Sequence, residues 1–418
     1  MRKRFLGRPA LIGAVLALTA AGTALGASAH SAAYVPSGEP TIPGATYFQG
    51  TGAPFLSTAG APRALSGAGI GQYGGAAQAL ATKLGTAAGK AAGKKVKLKQ
   101  LKVGYLDIIG GIQSADRVDN AMRVAVSHLG AKWLYCDGQG SPTQWVTCGN
   151  TLLSEGVNII VLTGIDPSSI SSVVAAAKAK GVPIVDMGGL VGPGYATAIY
   201  PNEGYSGKTL AAYVKAKLAS AGAGAPIMVA GYPTTWAQAR TAYIKGLAST
   251  GAVKIVVNAS VDPTNLIAGT QAQVSSALTA NPGLKAIWVD FDTAGQAAGQ
   301  EVAKLDPGQS FPQRPLVVTF HADPSTVTLM HSGSIDAVVD NNYDATAWEL
   351  TNAIAEHYAR GTAWPPYSFA LYYPGIGNPL EYSIVTGKNL PAANHYVGPK
   401  YDVDSYFIAK WKAEGFGK

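Results

Sequence analysis

The residues able to do chemistry in this chain sit just after short apolar runs. Asp107 follows VGYL, Asp137 follows KWLYC, and Thr163-Gly164-Ile165-Asp166 follows NIIVL. Gly188-Gly189 follows PIVDM, and residues 232–236 (YPTTW, ending in Trp236) follow APIMVAG. Asp290-Phe291-Asp292 follows KAIWV, and His321 follows PLVVTF. Carboxylates, hydroxyls and an imidazole can exchange hydrogen bonds with a ligand, an indole offers an apolar wall, and glycines let a ligand come close. Catalysis would need fixed spacings, which are missing. The six histidines (30, 128, 321, 331, 357 and 395) form no H-E-x-x-H pattern, and no G-x-S-x-G elbow occurs. Gly207-Lys208-Thr209 lacks the upstream glycine of a phosphate loop, and GAGIGQYGG at 67–75 has no strand before it. No close pair of carboxylates suggests glycoside hydrolysis, although two distant in sequence could still meet. The pattern points to holding a ligand, with no metal and no cofactor. A secreted hydrolase is the remaining enzymatic alternative.

These positions need elements to hold them, and from Val103 the chain supplies a regular alternation. DRVDNAMRVAVSHLGA carries Val118, Met122, Ala125 and Leu129 at helical spacing. TQWVTCGNTLLSEG, PSSISSVVAAAKAKG, KTLAAYVKAKLASAG, AQARTAYIKGLAST, TQAQVSSALTANPG and TAGQAAGQEVAKL read as helices between the apolar runs. Strand–helix alternation builds parallel sheets covered on both faces, so the fold class is α/β. In such sheets a ligand lies beyond the carboxyl ends of the strands. About 316 residues of this rhythm suit two α/β lobes better than one.

The formal charge of +8 is unevenly spread. Twelve of the 32 basic residues but one of the 24 acidic residues precede Val103, leaving 20 basic against 23 acidic from there on, a net of −3. The basic pI therefore belongs to the start of the chain, which argues against nucleic acid as a partner. Residues 1–29 have the layout of a signal peptide: four basic residues, an apolar stretch, then Ala27-Ser28-Ala29 as a small-residue cleavage pattern. A retained membrane anchor is the alternative. No cysteine follows the apolar stretch, so no lipobox is present. Residues 30–102 are rich in Gly, Ala, Pro and Ser and read as a flexible basic tether, with a weak helix possible in AAQALATKLGTAAGKAAGKK. In an exported chain Cys136 and Cys148 can form one intramolecular disulfide; two buried thiols are the alternative.

Taken in order, these phrases resemble a known family. LYCDGQGSPTQWVTCGNTLLSEGVNIIVLTGIDPSSISSVVAAAKAKGVPIVDMGG, AIYPNEGYSGKTLAAYV, NPGLKAIWVDFDTAGQAAG and PLVVTFHADPSTVTLMHSGSIDAVVDNN run through residues 103–367. The segment resembles periplasmic solute-binding proteins of the ribose/galactose type, the substrate-binding component of ABC importers. The resemblance implies the type I periplasmic-binding-protein fold: two Rossmann-like lobes with parallel sheets, joined by a three-crossing hinge, closing on a ligand. On that pattern lobe 1 is 103–202 plus about 339–366, lobe 2 is 203–338 plus about 367–385, and 386–418 is a C-terminal extension that packs against the hinge. It implies an exported, envelope-associated, non-enzymatic monomer. Its partners are a small-molecule ligand and a membrane permease. A ligand-sensing receptor for a membrane signalling partner is the alternative.

Carrying over the family's sugar clamp gives a mixed set of candidates. Asn341 falls at the hinge amide position, Arg240 lies within one position of the cleft arginine, and Asp292 sits beside the cleft amide, whose own place is taken by Phe291. His321 stands where the family has an acidic residue. Gly188 and Gly189 replace the Asp-Arg pair that grips ring hydroxyls. Asp107, Asp166 and Trp236 complete the candidates as strand-end groups. Losing the charged pair removes two charge-assisted contacts, so the implied ligand is a sugar or sugar-like molecule larger or less hydroxylated than a simple hexose. A plain turn also accounts for Gly188-Gly189, a helix N-cap for Asp292, and an exposed helix face for Arg240.

Overall fold

The computed structural model describes residues 75–189, 194–199, 203–341, 343–365, 382–388, 390, 393 and 402–417. The expected signal peptide and the first part of the tether lie outside them. The first lobe is a five-stranded parallel sheet. Its strands are β1 (Lys102–Asp107), β2 (Lys132–Asp137), β3 (Ile159–Thr163), β4 (Ile184–Met187) and β5 (Thr197–Ile199), in the order β2-β1-β3-β4-β5. The residues of β3, β4 and β5 are all buried, whereas β2 at the edge is partly exposed. A strand covered on both faces must be apolar throughout, which is why IIVLT shows no alternation. Three helices cover the sheet: α2 (Gln113–His128), α3 (Pro142–Ser154) and α4 (Ser171–Ala179). Val118, Met122, Ala125 and Val126 of α2 are buried, as their spacing predicts.

The second lobe holds β6 (Ala225–Gly231), β7 (Val253–Ser260), β8 (Ala286–Val289), β9 (Leu316–Phe320), β10 (Ala337–Asn341) and β11 (Tyr382–Thr386). Their order is β11-β10-β9-β8-β6-β7, parallel except for the antiparallel β10–β11 pair. Around them lie α5 (Glu203–Lys217), α6 (Thr235–Ser249), α7 (Leu266–Ala280), α8 (Asp292–Leu305) and α9 (Pro324–His331). After β10 the chain returns to the first lobe as α10 (Tyr343–Arg360), whose Trp348, Leu350 and Ile354 join the core against α2 and the first sheet. In each sheet the strand order turns back at one strand. It does so at β1, between β2 and β3, and at β6, between β7 and β8. A crevice opens at such a switch point, beyond the carboxyl ends of the strands.

Two expectations need correction. Residues 75–101 are not a free tether. They form α1 (Gly75–Ala91) and an extended stretch that lie on the C-terminal helix α11 (Val403–Glu414). A Cβ at Gly85 would overlap the Tyr406 carbonyl, and one at Gly89 the Lys410 carbonyl, so the glycines let the two backbones touch. Ala81, Leu98 and Leu101 are buried there, and Val96 N–H donates to Glu414 O at 2.9 Å. The described end of the C-terminal extension likewise packs on α10 and α1 of the first lobe rather than on the hinge. Its Lys410 Nζ reaches Asn352 Oδ1 at 3.0 Å, Glu356 Oε1 at 2.5 Å and Glu414 Oε1 at 2.8 Å. Cys136 and Cys148 are disulfide-bonded, joining β2 to α3. Among the described residues no helix is long and apolar enough to cross a membrane.

Candidate functional site

The two switch points face each other, and a cavity of about 50 Å³ lies between them. The first lobe contributes Ile108 after β1, Thr163 and Gly164 from the end of β3, Gly188 after β4, and Ile112, Ser114, Ala115 and Val118 from the start of α2. The second contributes Trp236 and Arg240 from α6, Phe291 after β8 and His321 after β9, and Tyr343 enters from α10. The walls are mostly apolar. Tyr232, Trp236 and Phe291 form an aromatic cluster with ring centroids 4.9–6.0 Å apart. Gly188 has φ +87°, a conformation that disfavours any side chain, and an added Cβ would stand 3.4 Å from Tyr343. The room expected from the missing Asp-Arg pair is thus taken up by Tyr343. Gly189 is packed on the Asp186 carboxylate, which a Cβ would strike.

Arg240 is buried, which removes the exposed-helix alternative. Its Nε and Nη2 donate to Glu203 at 2.6 and 2.9 Å, Nη1 donates to Asp290 O at 2.7 Å, and Nη2 also donates to Tyr343 Oη at 2.9 Å. The guanidinium lies 4.6 Å from the Trp236 ring centroid and 4.7 Å from that of Phe320. Burial opposes its charge, but Glu203 outweighs burial and holds it firmly protonated. Sequence reasoning missed Glu203 and Tyr343. A glutamate in the first turn of a helix is explained by the helix dipole alone, so nothing local marks Glu203 as the arginine's partner.

The hinge amide differs from expectation. Asn341 Oδ1 accepts from Ser206 Oγ at 2.8 Å, and its Nδ2 donates to Glu203 Oε2 at 3.0 Å. Both groups serve the protein, and the residue does not line the cavity. Asp107 is also turned away, accepting from Tyr135 Oη at 3.1 Å, and burial lifts its carboxyl to about 7. Asp292 is the first residue of α8, whose N-cap is Phe291, so it does not hold the N-cap position. His321 lines the cavity in a left-handed conformation, φ +64°, and its Nδ1 has no partner. Burial, helped by Arg240 and Arg117, keeps the imidazole neutral. The described residues hold no group of three or more His, Cys, Asp or Glu able to bind a metal ion.

Besides the bonds of Tyr343 to Arg240 and Glu203, four residue pairs among the described residues join one lobe to the other across the cleft. Asp166, at the end of the loop after β3, accepts from Thr235 N at 3.3 Å and from the Thr235 hydroxyl. Trp236 Nε1 donates to Gly164 O at 3.1 Å. Arg117 of α2 pairs with Asp340 of β10 at 3.1 Å, and Ser325 N donates to Gln113 Oε1 at 2.8 Å. The lobes therefore touch across the cleft, and Asp166 lies outside the cavity wall rather than in it.

Residues 111–362 match the family described as periplasmic binding protein domain. No curated protein matches the chain. Among solved structures, an ABC transporter solute-binding protein from Mycobacterium smegmatis with bound glycerol superposes with a TM-score of 0.60 at 19% identity, covering 71% of this chain and 99% of the other. One from Agrobacterium vitis with bound allitol gives 0.61 at 18% identity, covering 70% and 97%. The 5-methylthioribose transporter solute-binding protein from Thermotoga lettingae gives 0.60 at 15% identity, covering 69% and 88%.

Proposed function

The chain belongs to the periplasmic binding protein domain family, and from that premise we propose that it captures a sugar or sugar-like polyol between its lobes for an ABC importer. One observation carries this reading: the strand ends at both switch points converge on one cavity between the lobes, walled by Trp236, Phe291 and Tyr343. The similar proteins with bound glycerol, allitol and 5-methylthioribose support the ligand class. The polar groups on the wall are few: Ser114, Thr163, Arg240 and His321. Arg240 is already tied to Glu203 and Thr163 Oγ1 to Tyr105 Oη at 2.5 Å. Such a wall favours a ligand with an apolar face and few hydroxyls over a fully hydroxylated hexose. The protein works outside the cytoplasmic membrane as a monomer, led there by residues 1–29, and hands its ligand unchanged to a permease.

The test is a thermal-shift screen with glycerol, allitol, D-arabinose and 5-methylthioribose, followed by calorimetry on whatever shifts the melting point. A saturable fit with one ligand per chain, and recovery of the ligand intact, is the expected result. No shift across sugars, polyols and their deoxy or thio derivatives would remove the reading.

A further inference from the structure

Behind the cavity wall lies a pair of acids that binding a sugar does not require. Asp292 opens α8 directly after the cavity residue Phe291, and Asp323 caps α9 two residues after the cavity residue His321. Both are fully buried and lie against each other, with the Thr293 N–H and the Ser114 side chain also beside Asp292. Two carboxylates are acceptors only, so neither can satisfy the other while both are ionised. One added proton turns one of them into a donor and gives the pair a bond. The surroundings come from both lobes. Ser114 and Arg117 of α2, on the first lobe, face Asp292 and Asp323 respectively, and Arg117 is locked onto Asp340 at 3.1 Å. From the second lobe come Arg240, which faces Asp292, and Asp340, which faces Asp323; His321 is flanked by Arg240 and Arg117.

We propose that Asp292 and Asp323 form a proton-binding site assembled by lobe closure, so that closing the cleft takes up one proton. The inference rests on the proposed two-lobe closure but not on which ligand fills the cleft. In the closed form water cannot reach the pair, and Arg117, already held by Asp340, cannot neutralise both acids. Burial first, then the neighbouring Asp292 charge, pushes Asp323 well above the usual carboxylate range, and burial likewise raises Asp292. Moving α2 away would admit water, and the pair would then ionise. Protonation therefore favours the closed state, and rising pH favours the open one.

The test uses no sugar. Spin labels on cysteines placed at Ala179 and Ala268, exposed on the first and second lobes, report the distance between lobes from pH 5.5 to 8.5. In the wild type the open-to-closed ratio should rise by about tenfold per pH unit across the titration, the slope of one proton. Asp323→Asn keeps the size of the side chain and supplies a permanent donor, so it should stay closed at every pH; Asp292→Asn should do the same and serves if the first variant misfolds. A wild-type distribution independent of pH, or Asn variants that keep the wild-type slope, would overturn the site. Failure of every sugar to bind would remove the proposed function and leave this distance measurement standing.

Discussion

Glu203 is one carboxylate that accepts from Arg240, Asn341 and Tyr343. Replacing it with glutamine leaves a buried guanidinium without its counter-charge, which typically costs about 3–5 kcal/mol. Glu203→Gln should lower unfolding free energy by that order in urea titration; a loss under about 1 kcal/mol would show that Asp290 O and Tyr343 suffice. A second residue-scale expectation concerns pH. Burial lifts Asp107 to about 7 and Asp186 and Asp290 to about 8, against roughly 3.9 in an unfolded chain. The folded state then holds more protons than the unfolded one between those values. The stability these groups contribute is complete below about pH 4 and is lost as pH rises through 7 and 8, at up to about 1.4 kcal/mol per unit for each group. The melting point should fall from pH 5 to pH 8, and Asp186→Asn should flatten that slope; an unchanged slope would show that Asp186 is ionised at pH 5. Strand ends in the sequence were enough to locate Gly188, Trp236, Phe291 and His321 on the cavity wall. They were not enough for Asp107 and Asn341, because position along a strand does not say which lone pair another side chain will claim.

At the scale of elements, the alternating strands and helices were legible because buried parallel strands leave uninterrupted apolar runs. Helix α1 was legible as a weak helix, but its packing was not, because that contact depends on small residues rather than large apolar ones. Gly85 and Gly89 let it lie on α11, a close approach that composition reads as flexibility. Two truncations separate these readings. Removing residues 1–74 should leave the melting point unchanged. Removing residues 1–101 strips Leu98 and Leu101 from the core, at a cost of roughly 3–6 kcal/mol for two buried leucines. Equal melting points for the two forms would make α1 a passenger. The disulfide is a second element-scale device, closing a separation of 12 residues and tying the edge strand β2 to α3. Replacing both cysteines with serine should cost about 3 kcal/mol on loop entropy, read from the shift in urea midpoint.

The whole molecule carries two sheets, and here the resemblance of residues 103–367 to solute-binding proteins gave the architecture directly. It could not give the closing contacts, since Asp166–Thr235, Gln113–Ser325 and Arg117–Asp340 join residues 69 to 223 positions apart. Such contacts exist only when the lobes meet, so they bear on the open–closed balance rather than on either lobe's own stability. A ligand sees only the closed fraction, and its apparent affinity falls as that fraction falls. Asp166→Ala removes the two bonds from Thr235 without touching the cavity wall. At about 0.5–1.5 kcal/mol per bond it should weaken the ligand found by the thermal-shift screen by roughly 2- to 10-fold for each bond lost. It should also enlarge the radius of gyration of the unliganded protein while leaving the urea midpoint within error. If affinity and radius both stay at the wild-type values, Asp166 is a loop cap and the closed state is held by the cavity walls alone.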